Sequence, residues 1–452
     1  MDRLFGTDGI RGIADSYPIT PEVGVSLGRA LVSFCNRQGL EPAFVIGRDT
    51  RISGEALERA IVSGILSSHG HVYSAGIFPT PGISFLVRDL GAGAGIVISA
   101  SHNPYEYNGF KIFSHKGHKL SKKAEMEIEN LIRAEESGLH LPENSYQGRT
   151  YTVDDGEERY ISFLRNSVSK KYFPEKMKVV LDCANGATYK VAPLLFRDLG
   201  ADIEVLSAEP DGKNINHNCG SQHTDYLSHR VVALSADVGL AFDGDGDRLV
   251  AVDEKGFPLT GDHIMAICAR MLKDRGDLKS NMVISTVMSN MGFRFALKKM
   301  GIMHMAAQVG DRNVFEEMMA HDVVLGGEES GHIIFLNHHT TGDGLLSALQ
   351  LLSAMKRFEE PLSRLSRIMD IFPQVMINIP VTTKPEMANV PELVNIIRKV
   401  EQELGEKGRV LVRYSGTEPL CRVMVEGKEK KEVQGYAHTI AEVVRKCIGS
   451  GS

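Results

Sequence analysis

The chain has 452 residues, is 42% hydrophobic and 24% charged, and carries a formal net charge of −6. At about 150 residues per domain this length predicts roughly three or more domains of ordinary globular composition. The acidic balance excludes bulk nucleic-acid binding, no apolar run approaches the roughly 18 residues of a membrane span, and six cysteines without a spacing framework read as reduced thiols. In chain order, Met1-Asp2-Arg3-Leu4-Phe5-Gly6 has no apolar core of signal-peptide length, so the expected location is the cytoplasm.

Five later stretches share one plan: PAFVIGRDTR (42–51), GIVISASHNP (95–104), MKVVLDCANGA (177–187), VGLAFDGDGDR (238–248) and NMVISTVMSN (281–290). Each is a β-branched apolar run that stops at Gly, Asn, Asp or Ser, the signature of a buried strand. Helix-like stretches such as GEALERAIVSGILSSHG and GDHIMAICARMLKD follow, with apolar residues at helical spacing. Strands alternating with helices predict α/β architecture, with functional groups beyond the strand ends. Candidate linkers are the polar stretch Glu135–Arg149, the turn-rich Asp253–Asp262 and the region Asp370–Pro373. The last segment differs: QVMINIPV, a helix-like VPELVNIIRKVEQELG, RVLVRYSGTEPLCRVMVEG and a final helix predict a small α+β domain. Four domains are expected, at 1–150, 151–255, 256–370 and 371–452.

Four stretches carry chemistry. After the strand Ile96–Ile98, the residues Ser99-Ala100-Ser101-His102-Asn103-Pro104 break the strand and present Ser101 beside His102, with Lys111 downstream. In Asp243-Gly244-Asp245-Gly246-Asp247-Arg248, alternating carboxylates on a glycine-flexed loop can converge on a hard cation. An EF-hand reading fails because Arg248 stands where its loop needs glycine and the flanks read as strands. Gly327-Glu328-Glu329-Ser330-Gly331-His332 offers carboxylates, a hydroxyl and an imidazole suited to sugar hydroxyls. Arg413-Tyr414-Ser415-Gly416-Thr417-Glu418-Pro419, followed by Arg422, makes a cradle for a phosphate. His338 and His339 read as loop surface rather than metal ligands.

Taken together these motifs resemble the α-D-phosphohexomutases, and within them the bacterial phosphoglucosamine mutase subfamily. The resemblance runs through FGTDGIRG (5–12), GRDTRISGE (47–55), ISASHNP (98–104), DGDGDR (243–248), GGEESGH (326–332) and RYSGTEP (413–419); CGSQHTD (219–225) and STVMSNMGF (285–293) match the subfamily too. It implies four domains around a central cleft, three similar α/β domains with mixed sheets and a C-terminal α+β domain. It also implies a phosphoserine at Ser101 that donates its phosphoryl group to a sugar 6-phosphate, a glucosamine 1,6-bisphosphate intermediate, and net interconversion of glucosamine 6-phosphate and glucosamine 1-phosphate. That reaction would feed UDP-N-acetylglucosamine and cell-wall precursor synthesis.

By the resemblance, Ser101, Asp243, Asp245 and Asp247 hold one Mg²⁺. Arg413, Ser415, Gly416, Thr417 and Arg422 grip the phosphate not being transferred, and Glu328, Ser330 and His332 contact sugar hydroxyls. Arg11, His102, Lys111 and Arg248 serve phosphoryl stabilisation or proton transfer, with the general base left open. The partner expected is a small phosphosugar, with no nucleic acid and no membrane; a homodimer, and an activating kinase or autophosphorylation at Ser101, stay open. Tyr414, Gln222 and Glu329 depart from the usual pattern and bear only on the sugar; a Glu329 carboxylate would suit the ammonium of glucosamine. The alternatives are a phosphomannomutase/phosphoglucomutase of the same superfamily, a metal-dependent sugar phosphatase, and a metal-binding module without catalysis.

Overall fold

The computed structural model describes residues 3–6, 8–136, 148–415 and 419–449. The chain divides into two compact units, residues 1–288 with 300–368, and residues 289–299 with 369–452. The larger unit contains three sheets. In the first, β1 (Ile10–Ile13), β2 (Ala43–Arg48), β3 (His71–Ile77), β4 (Ala94–Ile98), β5 (Tyr107–Ser114) and β6 (Thr150–Thr152) lie in the order β1-β5-β4-β2-β3-β6. Residues of β2 and β4 are apolar on both faces because both faces are covered. Phe44, Ile46, Ile96 and Ile98 join a core with the helices Pro21–Arg37, Gly54–Ser67 and Lys122–Glu136. On the other face, Gly47 and Gly95 lie against Ile83 of the helix Thr80–Asp89.

The second sheet holds β7 (Lys178–Asp182), β8 (Asp202–Leu206), β9 (Val238–Phe242), β10 (Leu249–Asp253) and β11 (Pro258–Leu259), in the order β11-β10-β9-β7-β8. The third holds β12 (Met282–Thr286), β13 (Met303–Ala307), β14 (Leu325–Gly327) and β15 (Ile333–Phe335), in the order β13-β12-β14-β15. One topology recurs in all three: β3-β2-β4-β5, β8-β7-β9-β10 and β13-β12-β14-β15 each place three parallel strands beside an antiparallel fourth. The mixed α/β expectation is met. The stretch Asp253–Asp262, expected to be a linker, forms a hairpin. Asp253 Oδ1 accepts from the Lys255 and Phe257 amides at 2.9 Å each, and β11 then pairs with β10 before the helix Gly261–Arg275 begins. Most of Glu135–Arg149 lies outside the described residues.

The smaller unit is an antiparallel sheet of β16 (Gln374–Pro380), β17 (Gly408–Tyr414) and β18 (Leu420–Gly427), in the order β16-β18-β17. The amphipathic helices Pro391–Leu404 and Lys430–Ile448 supply Leu393, Val400, Ala437, Ile440 and Val444 to its core. The helix Met291–Lys299 belongs to this unit: the Met291 amide donates to Glu426 Oε1 at 2.7 Å, and Phe295 stacks on Phe372. This is the expected α+β domain. Among the described residues no helix is long and apolar enough to cross a membrane.

Candidate active site

The recurrent topology fixes where the chemistry lies. The turn from the third parallel strand to the antiparallel fourth carries Ser101 in the first sheet, Asp243 to Arg248 in the second and Glu328 to His332 in the third. Ser101 Oγ donates to Asp243 Oδ2 at 2.6 Å, and both residues are fully buried. Close approach of the loops needs glycine at Gly244, where a Cβ would stand 2.6 Å from the Ser101 carbonyl oxygen. Leu249 N donates to the carbonyl of Gly331 at 3.0 Å, joining the second and third loops. Gly331 has φ +95°, and a Cβ there would meet the Leu249 oxygen at 2.1 Å.

Asp243, Asp245 and Asp247 are buried and offer one carboxylate oxygen each, all within 4.8 Å of one another. Burial, and then repulsion from Asp247 and Asp245, pushes the Asp243 carboxyl well above the usual carboxylate range. Asp245 Oδ1 and Asp247 Oδ1 are buried without a hydrogen-bond partner. Three crowded oxygen ligands, two of them with unused acceptors, fit a hard divalent cation. Thr80 orients the middle carboxylate: its amide donates to the Asp245 carbonyl at 2.9 Å and its hydroxyl to Asp245 Oδ2.

Lys111, 2% exposed, places Nζ 2.6 Å from Asp245 Oδ2 and 3.3 Å from both Asp247 Oδ2 and Asp8 Oδ2. Burial disfavours its ammonium, but those carboxylates outweigh burial and raise its pKa, so Lys111 is a fixed cation here and no proton acceptor. His102 Nδ1 lies 3.3 Å from Ser101 Oγ; burial, then the charges of Arg248 and Arg11, bring its pKa down to about 4, so its imidazole is neutral at neutral pH. The Arg248 amide donates to Asp243 Oδ1 at 3.2 Å, and its guanidinium Nε is 3.8 Å from Asp247 Oδ1. Arg11 pairs with Asp8.

Asp8, Lys119 and Asp311 join Lys111 to His332 in a chain of polar contacts that the sequence reading did not single out. Asp8 pairs with Lys119, Lys119 with Asp311, and Asp311 lies 3.7 Å from His332 Nε2. His332 Nδ1 is 3.5 Å from Asp247 Oδ2, and Asp247 returns to Lys111. The Gly342 amide donates to His332 Nε2 at 3.1 Å, which puts the ring proton on Nδ1, facing Asp247. His332 is therefore buried against a carboxylate of the metal-fit trio, whereas Glu328 and Ser330 are half-buried. Glu328 Oε1 accepts from the Gly310 amide at 3.0 Å, and Ser330 Oγ donates to Glu328 Oε2 at 3.4 Å. Glu329, also half-buried, accepts at its carbonyl from the Gly261 amide at 2.9 Å. His339 is a correction: expected at the loop surface, it is fully buried, with Nε2 2.9 Å from the Pro81 carbonyl and its ring edge-on to Phe163.

In the smaller unit, Arg413 and Arg422 are cross-strand partners on β17 and β18. Burial, and then the neighbouring Arg422 charge, lowers the pKa of Arg413. Ser415 is 4% exposed, and its carbonyl accepts from Lys384 Nζ at 2.8 Å. Gly416 and Thr417 lie outside the described residues.

Four stretches of the chain match the phosphoglucomutase/phosphomannomutase family: its alpha/beta/alpha domain I over residues 2–138, domain II over 158–256, domain III over 260–372, and its C-terminal domain over 376–443. A phosphoglucosamine mutase of Syntrophus aciditrophicus is 52% identical over 99% of this chain and 100% of its own length. Among solved structures, a phosphoglucomutase/phosphomannomutase family protein of Burkholderia thailandensis superposes with TM-score 0.81 at 22% identity, covering 98% of this chain and 97% of that one. An Aspergillus fumigatus N-acetylphosphoglucosamine mutase in complex with GlcNAc-6P and magnesium superposes with TM-score 0.72 at 16% identity, covering 99% and 96%. At these identities the two structures bear on the fold.

Proposed function

Because the chain belongs to the phosphoglucomutase/phosphomannomutase family and, within it, to the phosphoglucosamine mutases, we propose that Ser101 is the phosphoryl carrier through which it interconverts glucosamine 6-phosphate and glucosamine 1-phosphate. The observation that carries the assignment is the buried hydroxyl of Ser101 held 2.6 Å from Asp243, in the carboxylate trio fit for a cation. The resting enzyme carries phosphoserine. O1 of glucosamine 6-phosphate attacks that phosphorus, its proton passes to a base, the Ser101 Oγ–P bond breaks, and glucosamine 1,6-bisphosphate forms. After reorientation, Ser101 Oγ gives up its proton and attacks the 6-phosphorus, the O6–P bond breaks, O6 takes up a proton, and glucosamine 1-phosphate leaves the restored phosphoserine.

Asp243, Asp245 and Asp247, with a phosphate oxygen on Ser101, would hold Mg²⁺, which when bound neutralises charge on the transferring group. The magnesium named with the Aspergillus relative supports that choice over other hard cations. Lys111, Arg11 and Arg248 supply fixed positive charge around the phosphoryl oxygens. His102, neutral at neutral pH, lies beside Ser101 Oγ and is assigned to the phosphoryl-transfer site, with the base left open. Glu328, Ser330 and His332 are assigned to the sugar face, His332 acting through Asp247 as well. Arg413, Ser415 and Arg422, with the sequence neighbours Gly416 and Thr417, are assigned a substrate phosphate. The domain limits assigned with this function are 1–150, 151–255, 256–370 and 371–452. A cytoplasmic location is proposed together with this function.

The test is turnover of glucosamine, glucose and mannose 6-phosphates by wild type and Ser101→Ala, with intact mass for the bound phosphate. Glucosamine 6-phosphate should be preferred, and Ser101→Ala should lose the phosphate and about a thousandfold or more of activity. Wild-type-like turnover by Ser101→Ala supplied with a 1,6-bisphosphate would exclude the phosphoserine route. Release of inorganic phosphate as the main product would make the protein a phosphatase.

A further inference from the structure

The motif GRDTR ends in an arginine that the reaction above does not use. Arg51 is 1% exposed, and its guanidinium is turned inward toward the loop that carries Ser101. Nη2 donates to the Ser101 carbonyl at 2.9 Å and the Asn103 carbonyl at 2.7 Å. Nη1 donates to the Pro104 carbonyl and, at 3.0 Å, to that of Tyr107. Nε donates to Asp49 Oδ2 at 2.8 Å. An arginine has five N–H groups, and each is matched here to an acceptor in the planar fork geometry that a lysine lacks.

The other side of Ser101 is held by the same assembly. Asp49, fully buried, also accepts from Ser99 Oγ at 2.6 Å, and Ser99 Oγ in turn accepts from the Ser101 amide at 2.9 Å. Both peptide groups flanking the nucleophile are therefore fixed. The backbone they fix is one a serine adopts at a cost, φ +52°, in the left-handed region. Asn216 Nδ2 adds a second donor to the Ser101 carbonyl at 2.9 Å.

We infer that Arg51, with Asp49 and Ser99, is the positioning device of the transfer: it holds Ser101 in its left-handed conformation so that Oγ faces Asp243, without touching substrate. The inference rests on the phosphoserine reading above. Its test is Arg51→Lys and Ser99→Ala, the second being a small change that decides the matter if the first does not fold. With glucosamine 6-phosphate and a 1,6-bisphosphate activator, kcat should fall by about 100-fold in Arg51→Lys and by about 10-fold in Ser99→Ala, with KM within about threefold of wild type. Hydrogen exchange followed by mass spectrometry should show the amides of residues 99–107 exchanging at least about tenfold faster in both variants, with protection elsewhere unchanged. Unchanged kcat, or a loss carried by KM, overturns the inference. So does unchanged protection of the loop, a readout that does not depend on any reaction. A wild type inactive on glucosamine 6-phosphate would instead overturn the assigned reaction and leave exchange to decide the clamp.

Discussion

Replacing Lys111 by methionine removes the cation that compensates a crowded, buried set of carboxylates while keeping most of the side-chain volume. At an effective dielectric of about 20, unit charges separated by the 2.6 Å between Lys111 Nζ and Asp245 Oδ2 attract by about 6 kcal/mol. Desolvation of the ammonium offsets part of this, and removing one partner of a buried pair costs about 3–5 kcal/mol, because the remaining charge is left uncompensated. For the larger unit that corresponds to a fall of roughly 4–7 °C in thermal midpoint. A divalent cation bound by the trio would supply the missing positive charge, and at about one hundred times its dissociation constant it contributes about 2.7 kcal/mol. The expected result in a calorimeter is a large deficit for Lys111→Met in EDTA and a much smaller one in excess Mg²⁺, with wild type gaining less from the metal. A variant as stable as wild type in EDTA, or equal metal-induced shifts in the two proteins, would refute this account of Lys111.

Arg422→Ala should raise KM for glucosamine 6-phosphate by about 10- to 100-fold, the worth of a charge-assisted phosphate contact, while intact mass still shows phosphate on Ser101; an unchanged KM would remove the arginine pair from substrate binding. Burial pushes the Asp343 carboxyl up to about 6, even though it accepts hydrogen bonds from the Leu346 amide and from Tyr160 Oη at 2.7 Å. The folded state then binds more protons than the unfolded chain between about pH 4 and 6, so stability falls as pH rises through that window, by roughly 3 kcal/mol at pH 7. Asp343→Asn should remove this dependence, so that its thermal midpoint relative to wild type improves from pH 4.5 to pH 7; a difference that does not change with pH would contradict it.

What could be read from the sequence was local. Strand ends at Ile98 and Phe242 followed from apolar runs broken by small and polar residues, and the loops beyond them carried recognisable chemistry. That the three loops hold the same place in three sheets of one topology could not be read from the residues, because strand order is set by pairings between distant residues; only the family resemblance implied three similar domains. Arg51 stood inside a quoted motif, yet its task depends on carbonyls about fifty positions away. Asp8, Lys119 and Asp311 looked like ordinary charges because their partners lie up to 192 positions apart. His339 was misjudged for a related reason: a polar, glycine-containing neighbourhood suggests surface, but the Pro81 carbonyl supplies the partner that lets its ring be buried.

Because Ser101, the carboxylate trio and the Glu328–His332 loop come from three separate sheets, the proposed reaction requires all three to be folded at the same moment. The active fraction is then bounded by the least stable sheet rather than by the average of the chain. On gradual heating, catalysis should disappear with the first sheet to melt, while much of the helical signal persists. For this architecture, residual activity is a more sensitive thermometer of local melting than any spectroscopic average.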